Sequence, residues 1–324
     1  MRSAKHAISF SSPTSQKKII NRQLLRWYAR HARVLPWRDI DNPYYVLVSE
    51  FMLQQTQVAR VLTHFPRWIG RFPDIAALAS ASKRDVLLAW SGMGYNRRAL
   101  QLHAAARMIR DNHDGVIPDA PGALQHLPGV GRYTAAAISC FGYRRRHPVV
   151  DINIRRVLSR LSADMGDTAN MLAEPVIWQT AALLLPQRAY YNWNQALMDL
   201  GATICTARRP LCDQCPLQRQ CPSSGRLREA ATATRSSVRE TPRRIYRGRI
   251  VEALRAAPGH CRSAAKLGTL LFEDFSPDHR PRLLDILATL QRDGMIRASA
   301  ARRPVTDLRS CTASLDRLRI CLTK

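Results

Sequence analysis

The chain has 324 residues, enough for two or three domains, and its 50 Lys and Arg against 24 Asp and Glu give a formal net charge of +26. This excess is spread along the whole chain and indicates a polyanion partner such as nucleic acid, although a merely soluble basic protein has the same composition. The chain has no apolar run of membrane-spanning length, and its eight cysteines are too few for a disulfide scaffold.

The first 20 residues are basic and serine-rich and contain no apolar segment of signal-peptide length. They also lack acidic residues, so a transit peptide is conceivable, but we expect a disordered basic arm. Residues 21–33 have the apolar periodicity of an amphipathic helix that ends before the LPWR sequence.

A second helix is predicted over residues 43–65, and it carries Glu50 among apolar residues. An apolar neighbourhood disfavours the ionised form of a carboxyl group and suits Glu50 to act as a general acid. A glutamate on the exposed side of a helix is the ordinary alternative. Short helices are predicted over residues 72–113, followed by one over residues 118–127.

The turn formed by Pro128, Gly129, Val130 and Gly131 precedes another helix. Its paired glycines allow a sharp turn and leave the amides at the start of that helix free to hold a phosphate. An ordinary helix–helix hairpin has the same spacing. Further on, Asp151 stands at the expected N-cap of a helix, and capping alone is one explanation for it.

Two more helices are predicted over residues 174–204, and four cysteines follow at spacings of six, two and five residues. Such a set binds zinc or an iron–sulfur cluster, and the spacing alone does not decide between them.

The polar, basic residues 223–244 are typical of a linker. The final part, residues 245–324, has three helical patterns and then a turn and short apolar run, as in a small winged-helix-like unit. Such a unit binds DNA or is only a docked appendage, and Cys261, Cys311 and Cys321 are too scattered to form a second metal site.

The sequences LPGVGRYTAAAI and VVDINIRRVLSR resemble the helix-hairpin-helix DNA glycosylase superfamily that includes endonuclease III. The resemblance implies that Gly129, Val130 and Gly131 hold a backbone phosphate and that Asp151 faces the sugar of an extruded nucleotide. Tyr133 stands where members with lyase activity carry a Schiff-base lysine, so we expect the strand to be left intact or cut only feebly. Ile152 departs from the family pattern, in which glycine is commoner.

The sequence SEFMLQQTQV resembles the A/G-specific adenine DNA glycosylases (MutY type). This implies that Glu50 is the acid, that Gln55 and Thr56 reach the strand opposite the extruded base, and that Arg38 lies near the adenine pocket. The GMGYNRRA sequence resembles a turn of the same family, in which Tyr95 would stack into the emptied duplex. A turn tyrosine packed on the core is the plain alternative.

The cysteine spacing after NQALMDLGA is similar to the 4Fe-4S loop of these enzymes, which implies four ligands: Cys205, Cys212, Cys215 and Cys221. The fold implied is all-α and two-lobed, with a winged-helix-like appendage and DNA passing between the lobes. The expected boundaries are a basic arm (1–20), an iron–sulfur lobe (21–34 and 146–222), a six-helix barrel lobe with the hairpin (35–145), a linker (223–244) and the appendage (245–324).

The resemblance implies a monofunctional glycosylase that removes adenine mispaired with guanine or 8-oxoguanine. Glu50 would protonate the purine, and Asp151 would stabilise the oxocarbenium-like sugar either as a charge or as a transient nucleophile. Tyr133 and Asn153 would help to position Asp151 and the sugar. We expect a cytoplasmic, nucleoid-associated monomer that binds double-stranded DNA holding a mispair and no membrane. The family's Nudix-like C-terminal domain is not recognisable here, which leaves recognition of the opposite base open.

Two other functions stay open. A mismatch glycosylase for thymine or another base opposite guanine has the same scaffold and also places tyrosine at the lyase position. A non-catalytic mismatch-binding protein is the other, but a pure binder needs neither Glu50 nor Asp151.

Overall fold

The computed structural model describes residues 13–162, 171–226 and 241–324. These residues form mainly α-helices, as the predicted all-α class requires, and none of their helices is long and apolar enough to cross a membrane. The helices are α1 (Pro13–His31), α2 (Pro43–Leu53), α3 (Val58–Arg71), α4 (Ile75–Ser80), α5 (Lys83–Ala89), α6 (Arg97–Asn112), α7 (Pro121–Leu124), α8 (Arg132–Ala137), α9 (Ile152–Ser162), α10 (Glu174–Leu184), α11 (Tyr190–Thr203), α12 (Arg243–Arg255), α13 (Ala264–Leu271) and α14 (Arg280–Arg292). The strands are β1 (Cys261–Ser263), β2 (Ile296–Ala300), β3 (Arg303–Val305) and β4 (Leu318–Leu322).

The chain divides into two compact units. The first unit comprises Met1–Val46, Asp119–Gln125 and Val130–Thr234, and the second comprises Leu47–Pro118, His126–Gly129 and Arg235–Lys324. The residues predicted to form the C-terminal appendage therefore belong to the same unit as α3 to α6.

In the first unit, α11 packs against α1 and α9, and α10 packs against α9. Helix α1 begins at Pro13, so the prediction of a disordered arm is wrong for residues 13–20. Ile20 and Leu24 are both buried and four residues apart, which places them on one apolar face that continues the helix towards the N-terminus. The rest of the predicted arm lies outside the described residues, as does most of the predicted linker.

In the second unit, α4 and α5 pack against α6. The single helix predicted over residues 43–65 is wrong, because α2 ends at Leu53 and α3 begins at Val58. Gln55 between them has a φ of 54°, in the left-handed region that a continuous helix excludes.

The C-terminal part of the second unit runs helix, strand, helix, helix and then three strands, an order like that of a winged helix. Its antiparallel sheet runs β1-β4-β2-β3, and the helices cover it with a core that includes Leu254, Leu267 and Leu287. Cys261 and Cys321 face each other across β1 and β4 and form a disulfide that the sequence did not predict.

Helix α12 joins this C-terminal part to α5 and α6. Arg255 donates to the Leu87 carbonyl at 2.7 Å and to Asn96 Oδ1 at 2.8 Å. Ser91 donates to Glu252 at 3.1 Å, and Leu87 is itself a member of the C-terminal core. The appendage is therefore docked on its unit by both apolar and polar contacts.

Candidate active site and nucleic-acid interface

The hairpin turn needs glycine at Gly129. Its φ is +79°, and a Cβ there would lie 2.8 Å from the Phe51 ring and 3.0 Å from Gln101 Cβ. Gly131 caps α8 with an ordinary φ of −91°, and its Cβ would enter open space. Val130 is buried, so its side chain anchors the turn. The backbone of Gly131 is accordingly left accessible beside the first amides of α8.

Tyr133 lies in the first turn of α8 and is half-buried. The helix continues directly into a π-helical turn over Ile138–Gly142. Tyr133 is therefore held within a continuous helical segment. Its side chain is a phenol and not an amine.

Asp151 precedes α9 and caps it. Its Oδ1 accepts the Ile154 N–H at 2.6 Å, and its Oδ2 accepts the Asn153 amide at 2.8 Å. Burial raises the pKa of Asp151 above its ordinary value, although the bonds from Ile154 and Asn153 and the charge of Arg156 oppose this rise. Capping and a functional role are therefore compatible, because each carboxylate oxygen accepts one of these bonds and can still interact with a further group.

Arg156 continues this hydrogen-bond chain. Its Nη2 donates to Asn153 Oδ1 at 2.9 Å and to the Gly201 carbonyl at 2.6 Å, and its Nε donates to the Cys205 carbonyl at 2.8 Å. Gly201 is required here, because a Cβ would lie 2.8 Å from Asn153 Cβ. The orientation of Asp151 is thus tied through two side chains to the backbone at the first cysteine of the loop.

Glu50 lies in α2, and only 5% of its surface is exposed. The predicted apolar neighbourhood along the chain is present, because Leu47, Val48 and Phe51 are completely buried.

Gln55 and Thr56 lie in the break between α2 and α3, and this break is held by Arg98. The guanidinium donates to the carbonyls of Phe51 at 2.9 Å and Met52 at 3.0 Å, and it also bonds the Gln54 carbonyl. It reaches Thr56 Oγ1 at 3.0 Å. These bonds satisfy the carbonyls at the end of α2, which would otherwise need helical partners.

The same arginine holds the Tyr95 turn through the carbonyls of Met93 at 3.2 Å and Gly94 at 3.3 Å. Tyr95 has a left-handed φ of 45°, is 47% exposed, and has its ring centroid 5.5 Å from the guanidinium carbon of Arg98. Burial lowers the pKa of Arg98 to about 10, so it is charged at neutral pH. Sequence reasoning missed Arg98, although it stands in the GMGYNRRA turn that was singled out.

Arg38 is engaged inside the first unit. It forms two bonds to Asp199, at 2.7 Å and 2.8 Å, and Asp199 also accepts Arg33 Nε at 2.7 Å. Burial acts to raise the pKa of Asp199, but the hydrogen bonds and charge of Arg38 outweigh it and leave that pKa lowered. Because Arg38 is buried as well, this pair cross-links the LPWR segment to α11.

The four clustered cysteines line one small recess after α11, together with Arg160 and Leu211. Burial raises the pKa of Cys215 to about 12 and that of Cys221 to about 11, and charge repulsion among the cysteines adds to the rise. Arg160 approaches Cys205 Sγ at 3.3 Å. In the described part of the chain, no group of His, Cys, Asp or Glu converges closely enough to hold a single metal ion. Four thiols around one recess fit a larger cluster, in which several iron atoms share the ligands.

An adenine DNA glycosylase of Mycobacterium tuberculosis is 45% identical to this chain over 262 residues, which cover 78% of the chain and 84% of that relative. The chain belongs to the adenine DNA glycosylase family. A second member, from Mycolicibacterium smegmatis, is 39% identical over 284 residues, 86% of this chain and 92% of the relative. The predicted MutY-type resemblance is thereby confirmed.

Residues 48–179 match the model of the HhH-GPD superfamily of base excision DNA repair proteins. The structure is also similar to that of a thermostable thymine-DNA glycosylase, with a TM-score of 0.61 and 27% identity over 65% of this chain and 97% of the other. The helix-hairpin-helix glycosylase fold is therefore confirmed for this part of the chain.

Residues 205–221, bounded by Cys205 and Cys221, match the iron–sulfur binding domain of endonuclease III. This match removes the ambiguity between zinc and iron–sulfur that the spacing left. The prediction of a 4Fe-4S cofactor is confirmed.

Proposed function

We propose that this protein is a monofunctional glycosylase that hydrolyses the N-glycosidic bond of adenine mispaired with guanine or 8-oxoguanine. The observation that carries the proposal is the presence of two carboxyl groups, Glu50 buried on α2 and Asp151 half-buried at the start of α9, in a member of the adenine DNA glycosylase family. A hydrolysis that separates a base from a sugar needs an acid for the leaving base and a negative charge for the sugar.

Glu50 is the general acid. Its proton passes to a purine ring nitrogen, so the electrons of the breaking glycosidic bond leave with a neutral base. Burial favours the protonated form that this step needs, because a charged carboxylate loses its hydration in an apolar setting.

Asp151 stabilises the positive sugar that forms as the base leaves, and water then completes the hydrolysis. Its two oxygens are already oriented by Ile154 and Asn153, so little reorganisation is needed during the reaction. Asn153 and Arg156 act as positioning residues. Tyr133 offers no amine for a Schiff base, so the sugar–phosphate strand stays intact.

The hairpin holds the DNA backbone. The amides of Gly129, Val130 and Gly131 bind one phosphate, and the open space beside Gly131 supports this assignment. Tyr95 fills the emptied stack, for which its exposed ring and left-handed backbone suit it.

Gln55 and Thr56, presented by the break between α2 and α3, reach the opposite strand. Arg38 supports the site from within through Asp199 instead of contacting DNA, because its guanidinium is buried and bonded.

Cys205, Cys212, Cys215 and Cys221 hold the 4Fe-4S cluster. The bound cluster supplies a structural cross-link for the loop, and Arg160 and Arg156 bind that loop from α9. The working protein is a monomer on mispaired double-stranded DNA, nucleoid-associated in the cytoplasm.

The test is single-turnover excision on duplexes that hold adenine opposite 8-oxoguanine, adenine opposite guanine, or thymine opposite guanine, each with and without alkali. We expect alkali-dependent cleavage at adenine, fastest opposite 8-oxoguanine. Cleavage at adenine without alkali would contradict the monofunctional assignment, and a protein that binds these duplexes but leaves every base in place would be a non-catalytic binder.

Thymine excision opposite guanine is the second candidate. The structural similarity to a thymine-DNA glycosylase favours it, but the relatives with 39–45% identity over most of the chain are adenine glycosylases. Competition between the adenine and thymine duplexes separates the two, and excision of thymine alone would reassign the protein.

A further inference from the structure

A groove in the second unit extends from Gln55, Thr56 and Tyr95 to α12, and its α12 side has no role in the steps above. One side is formed by residues 54–60 and the Tyr95 turn, the other by α12, and its volume is about 660 Å³. Among the described residues that line it, none is acidic. Its basic lining residues are Arg60, Arg97, Arg98, Arg244 and Arg247.

The arginines of α12 give the groove its charge on the C-terminal side. Arg244 and Arg247 are three residues apart and therefore neighbours on one helix face. Arg244 is exposed, while Arg247 is half-buried and paired with Asp293. A neighbouring recess is lined by Arg97, Arg243, Arg247 and Arg292, and also by Asp293, the partner of Arg247. The positive surface thus continues past the groove, as binding of a phosphodiester backbone requires.

The groove also has apolar surface among these charges. Ile245 is 41% exposed at its edge, and the exposed Tyr95 ring lies on the opposite side. Arginines beside an accessible aromatic ring are the combination that binds phosphates and stacks bases. This combination favours a nucleotide chain over a small inorganic anion.

Helix α14 is the alternative DNA-contacting element, because the second helix of a helix-turn-helix usually enters the groove of DNA. The two arginines at its N-terminal end are already engaged within the protein. Arg280 donates to the carbonyls of Cys311 at 2.7 Å and Ala313 at 2.9 Å, and Arg282 lies 5.1 Å over the ring of Tyr246. The end of α14 that would enter a DNA groove therefore has less accessible charge than Arg244 on α12.

We propose that this groove binds the DNA backbone next to the mispair, with Arg244 and Arg247 on phosphates and Ile245 beside a sugar or base. The C-terminal part is then a DNA-binding element that acts through its first helix. The proposal rests on the proposed function, which supplies the DNA substrate. It gives this chain a contact surface next to Tyr95 that requires no Nudix-like domain.

The test is the salt dependence of binding by the full-length, cluster-loaded protein. The probe is a duplex with 2′-fluoro-2′-deoxyadenosine opposite 8-oxoguanine, whose fluorine disfavours a positive sugar and so prevents excision. Replacing Arg244→Ala is expected to weaken binding and to reduce the slope of log affinity against log salt by about 0.9, the value for one phosphate contact. The control is Arg249→Ala, on the same helix but outside the groove lining, with an unchanged slope.

A second variant fills the groove without removing a charge. Gly248 lines the groove, and a Cβ there has no atom within 4 Å, so Gly248→Leu projects into open space. Leucine also favours the helix over glycine, so we expect an unchanged or higher melting temperature. Affinity for the probe duplex should nevertheless fall several-fold.

The outcomes separate the two proposals. If wild type excises adenine and both variants bind as wild type does, the groove proposal is wrong and the proposed function stands. If wild type excises no adenine but Arg244→Ala still reduces the salt slope by one phosphate contact, the proposed function is wrong and the groove remains a DNA-binding site. Excision together with both binding losses supports both.

Discussion

Each unit uses one arginine to place its functional residues, but the two arginines act on different parts of the chain. Arg156 in the first unit bonds the Asn153 side chain and so orients a carboxyl group. Arg98 in the second unit bonds mainly backbone carbonyls and so holds two left-handed residues, Gln55 and Tyr95. The first arrangement orients a half-buried carboxyl group, the one proposed to react. The second fixes the shape of an exposed surface, the one proposed to meet DNA.

The largest effect is expected at Asp151, the residue that the first arrangement orients. Replacing Asp151→Asn removes the negative charge but keeps a side chain that caps a helix equally well. Single-turnover adenine excision should slow by roughly a thousandfold, while the melting temperature does not fall. A variant that excises adenine at the wild-type rate would leave Asp151 as a cap alone.

The second arrangement is tested by Arg98→Met. Six acceptors lose a hydrogen bond, and two of them, the carbonyls of Gly94 and Gln54, keep a second side-chain donor. A buried acceptor left unsatisfied costs about 1–3 kcal/mol, so the free energy of unfolding should fall by about 3 kcal/mol or more. Denaturant unfolding measures this loss. The matched control is the exposed neighbour Arg97→Met, which should change stability by less than about 0.5 kcal/mol. Equal losses in both variants would refute a special role for Arg98.

A smaller effect separates orientation from stability in the first unit. Arg156→Gln breaks the links to Asn153 and Cys205 and should slow excision by roughly tenfold with little change in duplex affinity. Arg155→Gln is the control, because the neighbouring Arg155 guanidinium donates to the Leu172 carbonyl and not into the chain through Asn153. It should lower stability without changing the excision rate. Identical rates in the two variants would show that the chain through Asn153 does not position Asp151.

The smallest effect is a difference in pH dependence between two aspartates of the first unit. Because burial raises the folded-state pKa of Asp151, its ionisation costs stability as pH rises above the value for unfolded aspartate, about 3.9. Asp151→Asn should therefore be more stable than wild type at pH 7, and this gain should vanish as pH falls towards 4.

Asp199 should behave in the opposite way, since its folded pKa is lowered. Its ionised form stabilises the fold above the unfolded pKa, so Asp199→Asn should lose stability at neutral pH and approach wild type in acid. Thermal melts across this pH range measure both differences. The same sign for both variants would contradict the assigned environments.

The sequence predicted local features best. A few consecutive residues determine each of three features: the hairpin turn, the capping position of Asp151 and the cysteine spacing. The turn and the cap appear in the structure as predicted. The break after Leu53 was not predictable from local pattern, because residues 43–65 contain no internal glycine or proline and their apolar periodicity is continuous. What satisfies the carbonyls at that break is Arg98, more than 40 residues away.

Other misses have the same cause. The partnership of Arg38 with Asp199 joins residues 161 positions apart, and Cys261 pairs with Cys321 across a sheet whose register no local motif specifies. In contrast, the early start of α1 was visible in principle, because Ile20 continues the apolar face of Leu24.

The most direct test of the mechanism compares wild type with Glu50→Gln in single-turnover excision of adenine opposite 8-oxoguanine. Glutamine keeps the shape of the side chain but cannot supply the acid proton. We expect the variant to bind the duplex as wild type does and to release adenine at least about a hundredfold more slowly. Equal excision rates would contradict general-acid catalysis by Glu50.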